Sequence, residues 1–527
     1  MSERQRVVVV TGGGGGIGAA IAESIGSTGA FVVTADPLVS VDGSEQLPQP
    51  EQTTADRIIA AGGAARASAV SVTDGSGVHR LFHGLVDEFG GLDAVVNVAG
   101  ISRPTGFGKG SDEDWLDVLS VHLDGYRNML SAALPIMAAA GRGHILGVTS
   151  GAGWRSTDAG AYGCAKRAVA SLTWQLGRHA PAGVVINAIS PIAATRMVAA
   201  ALGGALPTSG PVTGGLSLGS MPAPAHLGPL GAHLVGDTFT SCHGVVLFAG
   251  GSEVAVIGQP RLLEVIRSNG VPGLAHVIEA ATTIALAPAQ ARQVSGGASN
   301  ARFGSMFEVQ STDGLPGAAT RSCAIVTDRS DAAAALSGAL RAWGVTSRLI
   351  DSPAGLAELD NLDAVVIALA GTSTPVSAAC DWERILAEHD GIVEQIHTDA
   401  RWSRAVTEYA TTNNRPLRLV TLTQATTAGG RSRAQASAQL ARSGRKATGD
   451  LVLPFTVSAE SDDIPAELAA HLVCSPAAVG LCGAELATGA EWFGLRSHPG
   501  PIGSMSFGGP ALPEWFDPTL QQVAQPR

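Results

Sequence analysis

Val7-Val-Val-Val-Thr-Gly-Gly-Gly-Gly-Gly16-Ile-Gly18 decides the fold. Four valines in a row, with no polar alternation, mark a strand covered on both faces, as in a parallel sheet. Glycines follow, and Ile17, Ala20, Ile21 and Ile25 then keep a helical spacing. A strand, a glycine turn and a helix in that order let the backbone approach a pyrophosphate, whose charge meets the helix N-terminus. Thr11, Gly12, Gly16, Ile17 and Gly18 are therefore the candidate cofactor turn. In a chain with 67 glycines among 527 residues, the glycines alone say little. Their place between strand and helix carries the weight.

Working outward, a second apolar run from Ala30 to Ala35 ends at Asp36, twenty residues beyond Gly16. A carboxylate there accepts hydrogen bonds from an adenosine ribose and repels a 2′-phosphate, which favours NAD over NADP. A solvent-facing loop aspartate would have the same spacing. Residues 37–55 are polar and proline-containing, an insertion ahead of a helix over Asp56–Ala61. A third strand is expected over Ala67–Val72, with Val72 counted among the cofactor contacts. A helix over Val78–Phe89 and a strand over Leu92–Val96 then lead into Asn97-Val-Ala99-Gly100. Strand and helix alternate throughout, the pattern of a doubly wound parallel sheet.

Further on stands Ser150-Gly-Ala-Gly-Trp-Arg-Ser-Thr-Asp-Ala-Gly-Ala-Tyr162-Gly-Cys-Ala-Lys166. The chain has only three tyrosines and three lysines, and two of these scarce residues are four apart. On a helix that spacing makes them neighbours on one face. An ammonium beside a phenol favours phenolate and draws its pKa down towards proton exchange with an alcohol. An exposed helical pair without chemistry has the same spacing, so the pair depends on the motifs around it.

Those motifs, Thr11–Gly18, Asn97–Gly100, Ser150 with Tyr162 and Lys166, and Ser190-Pro-Ile-Ala-Ala-Thr-Arg-Met197, together resemble the short-chain dehydrogenase/reductases over about the first 260 residues. More narrowly, the long loop after Asp36, Ser111–Trp115, Val121–Gly125 and Leu247–Gly258 are similar to the (3R)-hydroxyacyl-CoA dehydrogenase, or 17β-hydroxysteroid dehydrogenase, domain of multifunctional β-oxidation enzymes. The resemblance implies Tyr162 as the base that takes the alcohol proton. It implies Lys166 as the residue that binds the nicotinamide ribose and lowers the phenol pKa, and Ser150 as a hydrogen-bond donor to the substrate oxygen. Asn97, Ala99 and Gly100 would line the cofactor cleft. Thr195 would contact the carboxamide, and Pro191 and Ile192 would border the nicotinamide. Three departures stand out: His122 replaces the family's usual asparagine in a proton relay, Val98 replaces a second asparagine, and Ile192 replaces a glycine. A lone histidine on a buried helix is as readily a satisfied core group as a relay member.

Bulk properties narrow the class. A net charge of −11 with three lysines leaves no basic patch for nucleic acid. No apolar run reaches a membrane span, and the N-terminus enters a strand too soon for a signal peptide. Six scattered cysteines without a CxxC read as reduced thiols, so no metal is expected and the chain reads as cytoplasmic. The apolar stretch Met197–Ser241 could fold over a large apolar substrate, a steroid or fatty acyl chain, or be a plain surface loop.

The second half repeats the first without its chemistry. Leu362-Asp-Ala-Val-Val366 duplicates Leu92-Asp-Ala-Val-Val96, Asp381-Trp382 echoes Asp114-Trp115, and Leu417–Thr423 echoes Ile145–Thr149. After Thr327 comes Asp328 rather than glycine, Gln424 stands where serine is expected, and Arg433–Ala441 replaces the tyrosine-lysine helix. The expected architecture is α/β, with two tandem Rossmann-like doubly wound parallel sheets of which the second is degenerate. Its divisions are a catalytic NAD-binding unit over 1–262, a helical and flexible linker over 263–320, a non-catalytic unit over 321–490 and a Pro/Gly-rich tail over 491–527. An unrelated flavodoxin-like module is the alternative for the second unit. The family's dimers use the long helices beside the active site, so the second half is expected to pack there as an intramolecular pseudo-dimer, with a further homodimer left open. The function expected is NAD-dependent interconversion of a secondary alcohol and a ketone on a hydroxysteroid or 3-hydroxyacyl-CoA. An NAD-binding regulatory or scaffold protein without turnover is the alternative.

Overall fold

The computed structural model describes residues 4–201, 221–293, 320–371, 376–509 and 511–525. In the first half, β1 (Val7–Thr11) leads through the glycine turn into α1 (Gly16–Gly26) and β2 (Phe31–Ala35). Then come α2 (Thr54–Ala60), β3 (Ala64–Ser68), α3 (Gly75–Phe89), β4 (Ala94–Asn97), α4 (Asp112–Leu119), α5 (Gly125–Ala140), β5 (Gly143–Val148), α6 (Gly160–Gly177) and β6 (Val184–Pro191). A tight antiparallel pair, β7 (Val246–Gly250) and β8 (Glu253–Gly258), closes the run. All of β1 is buried, as its unbroken valines require, because helices cover both faces of the sheet.

From β8 the chain leaves the first sheet. The strand β9 (Leu262–Arg267) joins the far edge of the second sheet, and the helix Leu274–Ala281 buries Ile278 in the second half's core. The second half proper runs β10 (Ser322–Val326), β11 (Thr346–Ile350), β12 (Ala364–Ile367), β13 (Leu417–Gln424), β14 (Val452–Ala459), β15 (Glu485–Gly489) and β16 (Trp492–Arg496). Among the described residues it has no strand beyond β11, where the first sheet has β3. The chain then crosses back: β17 (Gly500–Ser506) pairs antiparallel with β8, and the helix Phe516–Ala524 sets Phe516 and Leu520 into the first half's core. The orders are β17-β8-β7-β6-β5-β4-β1-β2-β3 and β11-β10-β12-β13-β14-β15-β16-β9. Each sheet therefore borrows its antiparallel edge from the other half.

This redraws the expected divisions. The 263–320 range supplies an edge strand and a core helix to the second sheet, and the 491–527 tail supplies both to the first, because an unpaired edge and an apolar helix face each find a partner there. The third strand also lies earlier than Ala67–Val72. Its register follows Phe31↔Ala64 pairing, and that leaves Val72 in the loop beyond the strand.

The halves meet along α6 and the helix Ala428–Ala447, both alanine-rich and buried nearly all round. Small side chains let the two backbones approach closely. Gln439 reaches across to the carbonyls of Ala152 and Arg155 at 2.9 and 2.8 Å, and the Ser432 hydroxyl donates to Ser171 at 3.0 Å. Beside them Arg167 Nη2 lies 2.7 Å from Glu485 Oε2, both fully buried, and Glu485 also meets His498 Nδ1 at 2.9 Å. Asp112 on α4 likewise pairs with His397 and Arg404 on the helix Ile392–Thr412. Among the described residues no helix is long and apolar enough to cross a membrane.

Candidate active site

A cleft of about 620 Å³ opens at the carboxyl edge of the first sheet. Its outer end is the glycine turn. Gly12 has φ +62°, and a Cβ there would stand 2.8 Å from the Ala99 nitrogen; one on Gly18 would stand 2.1 Å from the Gly12 carbonyl oxygen. Only glycine fits either place. Gly15 caps α1 with no side chain bonded to the first turn, so the amide dipoles at that helix start face the cleft wall formed by Gly15, Gly16 and Ile17.

Asp36, at the end of β2, accepts from the Gly14 amide at 2.9 Å with one oxygen and from the Leu38 amide at 2.8 Å with the other. The carboxylate is thus fixed at the cleft's edge rather than loose in solvent. Thr11 and Asn97 act behind the wall. The Thr11 hydroxyl donates to Asn97 Oδ1 at 2.7 Å and receives the Ala99 amide at 3.3 Å, pinning β1 to β4.

At the inner end, Ser150, Tyr162, Lys166 and His122 converge. Tyr162 and Lys166 share one face of α6, and Lys166 Nζ lies 5.6 Å from the Tyr162 ring centroid while donating to the Val148 carbonyl at 2.7 Å. Burial pushes the Lys166 ammonium down to about 7. Burial raises the Tyr162 phenol, opposed by a hydrogen bond with Ser150 and by the charge of Arg155. In this balance desolvation outweighs the neighbouring charges, and the cation that tempers it is Arg155.

His122 sits in a single π-helical turn, Ser120–Asp124, between α4 and α5. Its Nε2 meets the Ile101 carbonyl at 2.8 Å, which makes Nε2 the protonated nitrogen and leaves Nδ1 buried without a hydrogen-bond partner. The ring stands edge-on to Tyr162 with centroids 5.1 Å apart. Burial and then the charge of Lys166 hold His122 well below the usual histidine range, so it is neutral. Gly100 is required beside it, since a Cβ there would stand 2.3 Å from His122 Cε1.

The cleft brings together Gly12, Gly16, Ile17, Asp36, Val72, Ala99, Gly100, His122, Ser150, Tyr162, Lys166, Pro191 and Thr195. Thr11, Gly18, Asn97 and Ile192 lie off its wall, the last packed on the cluster of Trp154, Trp174 and Phe248. Residues 202–220, the middle of the Met197–Ser241 stretch expected over a substrate, lie outside the described residues. Sequence reading missed Arg196, whose Nη2 is 3.9 Å from where a Gly15 Cβ would stand, and the insertion residues Val39 to Val41, which form one wall. Arg103 holds that insertion down, donating to the Asp42 carbonyl at 2.8 Å and pairing with Asp117 at 2.7 Å. Among the described residues no group of three or more His, Cys, Asp or Glu is placed to hold a metal ion.

Among the described residues, the matching region of the second half is a shallow hollow. There Gln424 Nε2 donates to Asp462 at 2.7 Å, Asp328 accepts the Ala370 amide, and only about 30 Å³ remains. Tyr409, the second half's tyrosine, is a buttress whose hydroxyl donates to the Leu359 carbonyl at 2.7 Å.

The sequence profile of the short chain dehydrogenase family matches residues 6–202. The short-chain reductase NovJ of Streptomyces niveus is 35% identical over 197 residues, 37% of this chain and 72% of that protein. The chain belongs to the short-chain dehydrogenase family, whose members are oxidoreductases that use a nicotinamide cofactor. Peroxisomal multifunctional enzyme A of Dictyostelium discoideum is 35% identical over 196 residues, 37% of this chain and 44% of that one. The peroxisomal hydratase-dehydrogenase-epimerase of Neurospora crassa is 32% identical over 258 residues, 49% and 27%. The chain thus spans less than half the length of these multifunctional relatives. The N-domain of bacterial malonyl-CoA reductase, solved with NADP, superposes with a TM-score of 0.64 at 16% identity, over 92% of this chain and 97% of that one. It shares the fold of both halves together.

Proposed function

We propose that the protein is an NAD-dependent secondary-alcohol dehydrogenase acting on a bulky apolar substrate, a 3-hydroxyacyl-CoA or a hydroxysteroid, with Tyr162 as the proton acceptor. The observation that carries this is one continuous cleft with a glycine turn and carboxylate at its outer end and a serine, tyrosine and lysine at its inner end. The residues fit a dinucleotide. Gly12 and Gly16 at positive φ open the turn, the uncapped start of α1 offers amides to a pyrophosphate, and Arg196 adds a guanidinium on the same side. Asp36 is placed to accept from the adenosine ribose, and a 2′-phosphate there would meet its charge.

A bound nicotinamide supplies the two-electron acceptor for the carbinol hydride. The chain's own groups manage the proton. Ser150 donates to the substrate oxygen and steadies the charge that develops on it. Tyr162, acting as its phenolate, takes the hydroxyl proton, and Lys166, on the same helix face and held down at about 7 by burial, favours that phenolate when it is protonated. His122, neutral and presenting Nδ1, can accept a hydrogen bond there.

The test is Tyr162→Phe: NAD reduction is lost while NADH binding, read by fluorescence, persists. Retained turnover refutes the mechanism. Asp36→Ala lowers the ratio of kcat/KM for NAD over NADP at least tenfold. An assay across hydroxysteroids and 3-hydroxyacyl-CoA thioesters selects the substrate class, and NADH binding without turnover on any of them would favour a scaffold role instead.

A further inference from the structure

Over β6, β7 and β8 the space beneath α6 is filled by Trp154, Trp174 and Phe248. Over the matching strands β14, β15 and β16 of the second half, a cleft of about 540 Å³ stays open. Four arginines from separate parts of the chain converge on it: Arg178 at the end of α6, Arg261 in the segment crossing from β8 to β9, Arg431 at the start of the helix Ala428–Ala447, and Arg496 on β16.

The carboxylates present are already committed. Glu485 is held by Arg167 and His498, and Glu460 pairs with Arg496. Arg431 donates to the Gln175 side-chain oxygen at 3.0 Å and the Thr426 carbonyl at 3.4 Å. Among the described residues no carboxylate pairs with Arg178, Arg261 or Arg431. Burial first, and then the nearby charges of Arg384 and Arg178, lower the basicity of Arg431 against the pull of Glu388 and Glu460. Four arginines against two glutamates make this a positive hollow in a chain of net charge −11. Arg178, Arg261 and Arg431 stand at the solvent-facing rim with no carboxylate partner among the described residues, and an incoming anion would relieve their mutual repulsion.

We propose that this cleft binds a phosphate-bearing small molecule of nucleotide size, at a site separate from the dinucleotide cleft. Its volume falls in the usual ligand range of about 300–1,000 Å³. Planar guanidinium forks match phosphate oxygens. Sixteen residues of α6 separate Tyr162 from Arg178, about 24 Å of helix at 1.5 Å per residue, so the ligand cannot touch the reacting atoms. Bound there, it would grip both halves and the crossing segment at once.

The experiment is calorimetric titration of ADP into the full chain held in saturating NADH and NADPH, which fill the first cleft. One ADP binds per chain, inorganic phosphate competes with it, and Arg178→Ala with Arg261→Ala raises its Kd at least tenfold while the Kd for NADH and the melting temperature stay unchanged. Absence of ADP binding under these conditions, or an ADP Kd unaltered in the double variant, overturns the proposal. Neither arginine lines the dinucleotide cleft, so that failure leaves the dehydrogenase reading standing.

Discussion

Replacing Arg167 by methionine should cost the molecule about 3 kcal/mol, and the size of the loss follows from Glu485. The carboxylate is fully buried, yet Arg167, with help from His498, holds it down at about 2 against an ordinary 4.5. That displacement corresponds to about 3 kcal/mol of interaction with the charged form, in line with the ~3–5 kcal/mol lost when one partner of a buried ion pair is removed. If the halves unfold as one unit of 527 residues, the unfolding entropy is about 1.1 kcal/mol per kelvin and Tm falls by about 3 °C. If only one half unfolds in the first transition, the same loss lowers that transition by about 6 °C. Differential scanning calorimetry reads both the shift and the number of transitions. Adding Glu485→Gln, which removes the stranded charge but keeps an acceptor for His498, should recover most of the loss. An Arg167→Met protein within 1 °C of the parent, or a double variant as unstable as the single, would refute the reasoning.

Two further perturbations test other parts of the structure. Arg196→Ala should raise the Kd for NADH about tenfold, the scale of one charge-assisted contact to a pyrophosphate, with little change in Tm; an unchanged Kd removes Arg196 from the site. Burial holds His389, His471 and His498 down at about 4, so all three stay neutral when folded but protonate near 6.5 when unfolded. The unfolded chain then binds more protons between pH 6.5 and 4, and stability drops through that window by at most about 4 kcal/mol per pH unit. Glu485, a depressed carboxylate, adds its own loss only below about pH 4.5. Urea midpoints at pH 7.5, 6 and 5 check this, and a flat series would refute it.

The glycine turn, Asp36 and the Ser150–Lys166 run were legible because each is a short contiguous stretch whose chemistry demands particular residue types. The duplication was legible because buried parallel strands repeat almost verbatim. What sequence reading missed depends on tertiary pairing. Leu262–Ile266 reads as helix-like because an edge strand, exposed along much of its length, has no strict alternation to display. Gly500–Ser506, rich in glycine and small residues, reads as tail because its strand conformation is imposed by β8. Ala64–Ser68 is a poor strand former held by Phe31–Ala35. The four arginines at the junction carry no local motif, since only folding brings them to their cleft. The sign of the phenol shift at Tyr162 was beyond reach for another reason: spacing reveals a neighbouring charge but not how dry the site is.

The reciprocal crossing of β9 and β17 has a consequence for how the molecule is made. β8 emerges from the ribosome some 240 residues before the strand that covers its outer edge. At roughly 5–20 residues per second, that edge waits on the order of ten to fifty seconds in an unfinished chain. Throughout the interval it offers open backbone donors and acceptors to any other nascent copy, so the crossing that ties the finished halves together also makes synthesis the protein's most vulnerable moment.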